Sequence, residues 1–438
     1  MSRLRVLTGE PWLFWLLSAM ALNQAAANML RPMISYRALE LGVDPAGLGI
    51  LSAVFNFAPL VIALPIGRAL DRPREMRFIV GGNVLMGVSG LALAAMGDTT
   101  SLFVLFGILG VGHFVAAFSV QPLVARFSHH GNYDRRFAAY SFAASIGQML
   151  GPAIGGLVAG GGTHDEIGRA ITLGSLLALV LLVPLALVRP PAPSRPETRP
   201  ADRPARTADR PASIASLPGT TPSGSTAVGP GAPAGSNPSP APLRRLGLME
   251  ILRMPDVARA ILVSTTVLSA IDIVIIYLPA LGEERAWAAS LVGGLLALRA
   301  GSSMVTRLIL GWLAARFERR TILIWSMGIS AASLLALPIA GPVPLIALLM
   351  IGAGAGLGIG QPLTMAWVAA LAPAGVRSTL LSVRVMGNSV GEVLLPVAAG
   401  SMAAVGGAAG VLAATGAIVA ISLAWAFAGK PHAGRARA

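Results

Sequence analysis

Five ionisable side chains lie in the second half of the sequence, within segments that are otherwise apolar: Asp272, Arg299, Arg307, Arg384 and Glu392. A charge in an apolar segment is costly unless it faces a cavity or a partner of opposite charge. A carboxylate beside an arginine stays ionised there, whereas a carboxylate without a cationic partner favours its protonated form. These residue types therefore indicate proton exchange at an acid, with arginines available to bind an anion.

The two acids differ in their expected roles. Whichever of Asp272 and Glu392 lacks an arginine partner is expected to carry the proton, and we favour Glu392 because it lies beside a glycine pair in its segment. The alternative is that both acids form static ion pairs with Arg299 and Arg384. Arg384, Asn388 and Glu392 recur at four-residue spacing, which places them on one side of a helix.

The first half carries polar residues where the second half carries acids. Its first apolar segment holds Asn23, Asn28 and Arg31 at a spacing that fits one cavity wall. The candidate residues for binding a small molecule are Asn23, Asn28, Arg31, His113, Gln121, Arg299, Gln361, Arg384 and Asn388. His113 has the alternative of bonding a neighbouring helix, and Asn56, Asn83 and Gln148 are expected to make interhelical hydrogen bonds. An excess of arginines over acids in this set favours an anionic ligand.

Twelve apolar segments must position these residues. The chain has 438 residues, of which 55% are hydrophobic and only 12% are charged, whereas soluble domains average about 25% charged residues. Each segment is long enough to cross a bilayer, which needs about 20 apolar residues, and the second is predicted as one span over 46–70. The composition excludes a soluble protein, and we expect no enzyme activity, no cofactor and no metal.

The net charge of +14 comes almost entirely from arginine, because Lys430 is the only lysine. These arginines concentrate in loops on one side of the predicted membrane, which is the pattern of cytoplasmic loops. We therefore expect both termini in the cytoplasm of a bacterial cell, with the chain in its inner membrane. This placement also accounts for the basic charge without nucleic acid as a partner.

The sequence repeats at an offset of 240 residues. Gln121-Pro122-Leu123 matches Gln361-Pro362-Leu363, and the glycine pair at 147 and 151 matches that at 387 and 391. The predicted domains are a six-helix half at 1–188, a proline-rich disordered linker at 189–245 and a second six-helix half at 246–438. An even number of spans gives both halves the same orientation in the membrane.

Two motifs resemble those of the major facilitator superfamily. A glycine followed by an acid and a basic cluster ends the second segment, with a weaker copy after the eighth, and the fifth segment reads GQMLGPAIGG. The latter is similar to the GxxxGPxxGG motif of proton-coupled exporters in that family. Glu75 and Ala315 depart from the loop motif. The resemblance implies conformational roles for Gly67, Asp71, Arg72, Gly147, Gly151, Pro152, Gly155, Gly156, Arg307 and Gly311.

The sequence therefore predicts an all-α membrane protein of two parallel six-helix repeats, the fold that the resemblance implies. The expected function is proton-coupled efflux of a small organic, anionic compound by alternating access, with the protein acting as a monomer in the lipid bilayer. One alternative is proton-coupled uptake of an organic anion. Another is a membrane receptor or lipid-handling protein that uses this fold without transporting.

Overall fold

A computed structural model describes residues 10–70, 74–127, 133–189, 255–371 and 377–428. Within these ranges, twelve helical spans are long and apolar enough to cross a membrane. In the first half they are α1 Pro11–Glu40, α2a Pro45–Asn56 with α2b Ala58–Leu70, α3 Glu75–Ala95, α4 Thr99–Arg126, α5 Tyr133–Ala159, and α6a His164–Val180 with α6b Leu182–Ala186. In the second half they are α7 Pro255–Glu284, α8 Ala289–Arg316, α9 Arg319–Ala336 with a 3₁₀ turn Leu337–Ile339, α10 Val343–Leu371, α11 Arg377–Gly400 and α12 Ala403–Phe427.

Two of the predicted spans are interrupted. The second span was expected to be continuous over 46–70, but it breaks at Phe57, and the sixth span breaks at Leu181. Proline has no backbone N–H to donate to the carbonyl four residues earlier. Pro59 and Pro184 each follow closely after a break, so the lost hydrogen bonds account for both interruptions. The predicted linker at 189–245 lies outside the described residues apart from Arg189.

Short polar residues fix where several helices begin. The Asp44 carboxylate accepts a hydrogen bond from the Gly47 N–H, and the Asp98 carboxylate accepts one from the Ser101 N–H. Such N-caps satisfy backbone donors that the first turn leaves free. The hydrogen bonds from Ser101 hold the pKa of the exposed Asp98 carboxyl below its usual value. These caps place α2a and α4 directly after their turns.

Glycine pairs allow equivalent helices to touch in each half. A Cβ on Gly147 or Gly151 would overlap the α1 backbone at Ala21 and Ala25, so α5 and α1 pack in close contact. In the second half, a Cβ on Gly391 would overlap the side chain of Thr265 on α7. Positions 25 and 265 are themselves 240 residues apart. The contact of α5 with α1 is thus repeated by α11 with α7, as the offset in the sequence predicts.

The two halves meet tightly at one end of the bundle, which we call the distal end; it carries the turns 41–44, 160–163, 285–288 and 401–402. On α5, Gly156 packs against α8, where an added Cβ would lie 2.8 Å from the Gly293 Cα. On α2a, a Cβ at Gly49 would overlap the Pro396 carbonyl of α11. At the repeat offset, position 156 on α5 corresponds to position 396 on α11, and position 49 on α2a corresponds to position 289 on α8. The two helix crossings are therefore two copies of one contact. The distal end is therefore closed by a symmetric pair of helix crossings.

A tyrosine adds a hydrogen bond across this closed end. The Tyr277 hydroxyl of α7 donates to the Pro45 carbonyl of α2a at 2.7 Å. Tyr36 of α1 lies at the same end, and its buried hydroxyl has no hydrogen-bond partner among the described residues. Tyr277 therefore donates a hydrogen bond across the closed end, and the Tyr36 hydroxyl has no such bond among the described residues.

We expect Tyr277→Phe to shift the protein towards conformations with the distal end open. Loss of one hydrogen bond costs about 1 kcal/mol, which corresponds to a population change of roughly fivefold. The chain has no cysteine, so pairs of cysteines introduced across the distal end can be spin-labelled without background. The distances between the labels are then measured by pulsed electron paramagnetic resonance.

Tyr36→Phe is the matched control and is expected to leave the label distances unchanged. Equal distance distributions in Tyr277→Phe and in the unsubstituted chain would contradict a role for this hydrogen bond in distal closure.

Candidate functional site

An ion pair joins the two halves in the interior of the bundle. Arg31 Nη1 of α1 donates to Asp272 Oδ1 of α7 at 2.9 Å, and the exposed fractions of the two side chains are 8% and 12%. The second carboxylate oxygen, Oδ2, accepts from the Asn56 amide of α2a at 2.8 Å. Both partners of Asp272 thus come from the opposite half. Any movement that separates α7 from α1 and α2 must break these bonds.

The repeat explains why Arg31 and Asp272 meet. Helices α1 and α7 are equivalent in the two halves, and position 272 corresponds to position 32 at the offset of 240. Equivalent positions of two helices beside a pseudo-twofold axis face each other across it. Two charges placed one residue apart in the repeat are therefore brought together.

Aromatic rings support Arg31 from the side of the first half. The Arg31 guanidinium lies 4.7 Å from the Phe55 ring centroid, an arrangement that attracts the cation to the ring face. The Phe55 ring also stacks with the His113 ring, and their centroids are 5.9 Å apart. Two donor atoms of Arg31, Nε and Nη2, remain buried without a hydrogen-bond partner. Arg31 is thus oriented towards Asp272 with part of its hydrogen-bonding capacity unused.

Glu392 of α11 is the second acid near this ion pair. It interacts electrostatically with Asp272 and with Arg31. Among the described residues, no hydrogen bond or ion pair holds its carboxylate. Asp272 is thus ion-paired with Arg31, whereas no ion pair of Glu392 is found in the described residues, and its role as proton carrier stays a prediction.

Arg299 of α8 completes this group of interior charges. It is 5% exposed, and its Nε is buried without a partner. Arg299 is attracted by Asp272 and repelled by Arg31 and Arg307. We call the set Arg31, Asn56, Asp272, Arg299 and Glu392 the central cluster.

The other two interior arginines bind backbone oxygens instead of acids. Arg384 Nη2 donates to the Gln361 carbonyl at 3.2 Å and to Thr364 Oγ1 at 3.3 Å. Arg307 Nε donates to the Gly358 carbonyl at 3.2 Å, and its Nη1 reaches Ser145 of the other half. In the described part of the chain, the static pairing of both acids with Arg299 and Arg384 is therefore wrong.

Several predicted binding residues lie apart from the central cluster. Asn23 donates to the Asn83 side chain at 2.7 Å, and a small apolar void surrounds that pair within the first half. Its side chain faces α3 because the stripe of polar residues on α1 turns around the helix. The Asn28 side-chain amide donates a hydrogen bond to the Gln24 carbonyl of its own helix. Asn23 therefore does not belong to the cavity wall that the sequence predicts, and the place of Asn28 in that wall stays a prediction.

The remaining predicted binding residues have polar partners of their own. The Asn388 side chain accepts from Thr265 Oγ1 at 3.3 Å. Gln121 is hydrogen-bonded to Tyr140 of α5, and the equivalent Gln361 takes part through its backbone carbonyl. His113 has a buried Nδ1 without a hydrogen-bond partner beside Phe55. The role of these side chains in binding a substrate stays a prediction.

The predicted loop motif is described only in part. Asp71 and Arg72 lie outside the described residues. A Cβ on Gly67 or on Gly311 would meet no atom within 4 Å, so close helix contact does not explain these glycines in this conformation. Glu75, which departs from the family pattern, lies with its Oε1 2.6 Å from Arg126 Nη2. This ion pair ties the start of α3 to the end of α4.

Asn56 and Phe55 are functional candidates that the sequence reasoning missed. The interhelical hydrogen bond expected of Asn56 is confirmed, but its acceptor, Asp272, is not predicted from the sequence, and neither is any role for Phe55. Their position on α2 is the signal that could identify them, because α2 packs against α11 of the other half. A search for metal-binding groups of three or more His, Asp or Glu side chains finds none among the described residues.

Comparison with known proteins identifies the class. The family model of the Major Facilitator Superfamily matches residues 16–283 and 260–438. The chain therefore belongs to this superfamily, and it is a multi-pass membrane transporter rather than an enzyme. No curated protein sequence is significantly similar to it.

Solved structures of similar fold belong to transporters. The nucleoside transporter NupG superposes with a TM-score of 0.68 at 13% identity, covering 95% of this chain and 98% of that chain. A D-xylose-proton symporter gives 0.67 at 14% identity, covering 94% and 96%. A bacterial homologue of the human lysosomal transporter Spinster, in an inward-facing conformation, gives 0.64 at 14% identity, covering 95% and 96%. At these identities the likeness concerns the fold alone.

Proposed function

We propose that this protein is a proton-coupled secondary transporter of a small organic compound, with Glu392 as the residue that takes up and releases the proton. The observation that carries the proposal is the unequal pairing of the two interior acids. Asp272 is bound by Arg31 and Asn56, whereas Glu392 has no such partner in the described structure. A carboxylate that changes its charge beside an ion pair between the halves can alter the strength of that pair.

The coupling would act through the Arg31–Asp272 pair. An ionised Glu392 competes with Asp272 for the positive charge of Arg31, and a protonated Glu392 does not. Protonation therefore strengthens the interaction that holds α1 and α7 together, and proton loss weakens it. Because the same pair must break for the halves to rock, the proton on Glu392 biases the conformational equilibrium.

For the direction of transport, the first candidate is efflux in exchange for protons. Its support is the resemblance of the α5 segment to the exporter motif. The glycines of that segment also serve packing, since Gly147 and Gly151 contact α1 and Gly156 contacts α8. Packing of this kind suits transport in either direction, so efflux rests on the resemblance.

The second candidate is uptake of an organic anion together with protons, and a specific observation favours it. Arg299 is a buried cation whose Nε has no hydrogen-bond partner among the described residues. A substrate anion would satisfy it. An anion and a proton bound in the same cluster neutralise each other's charge, so they favour moving together.

Metabolite analysis distinguishes the two directions. Compounds are quantified inside cells and in the medium for a strain that lacks the protein, the parent strain, and a strain that overproduces it. Efflux predicts a compound that accumulates inside the deletion strain and appears outside the overproducer. Uptake predicts an external compound that the deletion strain fails to consume.

Proteoliposomes then test the coupling itself. The protein is reconstituted with an imposed pH gradient, and a metabolite extract of the same cells supplies the substrate. We expect at least one compound to cross only when the gradient is present. Identical movement with and without a gradient, in the absence of a membrane potential, would contradict proton coupling.

A further inference from the structure

The helix that carries Arg299 is tightly packed, and the Nε of this arginine is buried without a hydrogen-bond partner. The α8 backbone at Arg299 is packed so closely against α10 that a Cβ on Gly354 would overlap the Arg299 carbonyl. Towards α5, Gly293 meets Gly156, and a Cβ on Gly301 would lie 3.0 Å from the Met149 sulfur. Packing on both sides fixes the α8 backbone around Arg299, and the Arg299 side chain is buried within it.

The neighbouring charges do not neutralise Arg299. Asp272 attracts it, but the two carboxylate oxygens of Asp272 already accept from Arg31 and Asn56. Arg31 and Arg307 both repel it. The charges that act on Glu392 are those of Asp272 and Arg31, and Arg299 is not among them. Arg299 therefore has two repelling neighbours and one attracting acid, and that acid is already ion-paired with Arg31.

We infer that Arg299 binds the anionic group of the substrate, and that the substrate is accordingly an organic anion bearing a carboxylate or a phosphate. The inference rests on the proposed transport function and assigns its substrate class. A guanidinium offers two parallel N–H groups, which match the two oxygens of such an anion. A cationic substrate would add repulsion beside Arg299, and a neutral one would leave the buried charge uncompensated.

The position of Arg299 also assigns a division of labour within the central cluster. Arg31 belongs to the first half and is ion-paired with Asp272, whereas Arg299 belongs to the second half, forms no ion pair among the described residues and has a buried Nε without a partner. The substrate anion would therefore bind first to the second half. The unused Nε and Nη2 of Arg31 are then available to the same anion from the opposite half. Binding by arginines of both halves would bring the halves together around the substrate.

Fractionated metabolites provide the test. An extract of the producing cells is separated at neutral pH into anionic, neutral and cationic fractions, and each is offered to proteoliposomes of phosphatidylethanolamine and phosphatidylglycerol. Mass spectrometry identifies what accumulates, and a pH-sensitive dye inside the vesicles reports proton movement. We expect accumulation from the anionic fraction, reduced about tenfold or more in Arg299→Gln, because a hydrogen-bonded charge pair is lost. Arg299→Lys keeps the charge but not the two parallel donors. Its accumulation of anions is expected to lie between that of the unsubstituted protein and that of Arg299→Gln.

The control is Arg316→Gln, the same substitution on the same helix at an exposed position, which is expected to transport normally. A second measurement does not need the substrate. Removal of an uncompensated buried charge relieves a desolvation cost, so the melting temperature of Arg299→Gln without substrate is expected to exceed that of the unsubstituted protein.

The outcomes separate this inference from the proposed function. Arg299-dependent accumulation of anions without proton movement would uphold the inference and contradict proton coupling. Accumulation from the neutral or cationic fraction alone, anion accumulation that Arg299→Gln leaves unchanged, or no accumulation from any fraction would overturn it. Among the anions, the accumulated species themselves distinguish carboxylates from phosphates.

Discussion

Replacement of Arg31 by Gln, or of Asp272 by Asn, is expected to destabilise the protein and to stop transport. Each change removes one member of a buried ion pair and leaves the other charge uncompensated, which costs about 3–5 kcal/mol in buried pairs. The double variant leaves neither charge unpaired. We therefore expect its free energy of unfolding to be higher than the sum of the two single losses predicts, with a coupling energy of about 1–3 kcal/mol. Transport is expected to stay absent in all three variants.

The matched control is the ion pair of Asp256 and Arg259, which lie one turn apart near the start of α7. The Asp256 side chain of this pair is 47% exposed, and exposed pairs contribute about 0–1 kcal/mol. Asp256→Asn, Arg259→Gln and their combination should therefore give little coupling energy. If the losses in free energy of unfolding of Arg31→Gln and Asp272→Asn simply add in the double variant, the ion pair does not hold the halves together.

The second large effect is expected for Glu392→Gln. Glutamine keeps nearly the same shape and carries no titrating proton, so a pH gradient should no longer drive accumulation. Exchange of substrate across vesicles without a gradient needs binding and rocking but no net proton movement. We expect that exchange to continue, while gradient-driven accumulation falls to the level of vesicles without protein.

Glu318→Gln serves as the comparison, because Glu318 is an exposed acid in the turn between α8 and α9. It is expected to keep gradient-driven accumulation. If Glu392→Gln keeps it as well, the proton is carried elsewhere, and Asp272 becomes the candidate.

The repeat made much of this fold predictable. Spans, halves and the glycine contacts of α5 and α11 all follow from apolar length and an offset of 240 residues. Hydropathy alone does not predict the interruptions at Phe57 and Leu181, whereas Pro59 and Pro184 in the sequence do account for them. Local proline chemistry decides whether a span is continuous, and hydropathy does not report it.

The site was predicted less well, for a geometric reason. The sequence identifies the interior charges, but the static ion pairs that it offers as an alternative join Asp272 only to arginines of its own half. Its actual partner, Arg31, lies in the other half at almost the same repeat position. Asn23 was placed on the cavity wall because spacing along α1 gives a stripe but not the direction that the stripe faces. Packing against α3 fixes that direction, and a single helix sequence does not contain it.

An infrared titration of the purified protein tests most directly whether Glu392 carries the proton, and it requires no substrate. Difference spectra between low and high pH report the C=O band of each protonated carboxyl that loses its proton. The account predicts a buried carboxyl band that disappears as pH rises, that is absent from Glu392→Gln, and that persists in Glu318→Gln. The same band in Glu392→Gln, titrating as in the unsubstituted protein, would contradict the account.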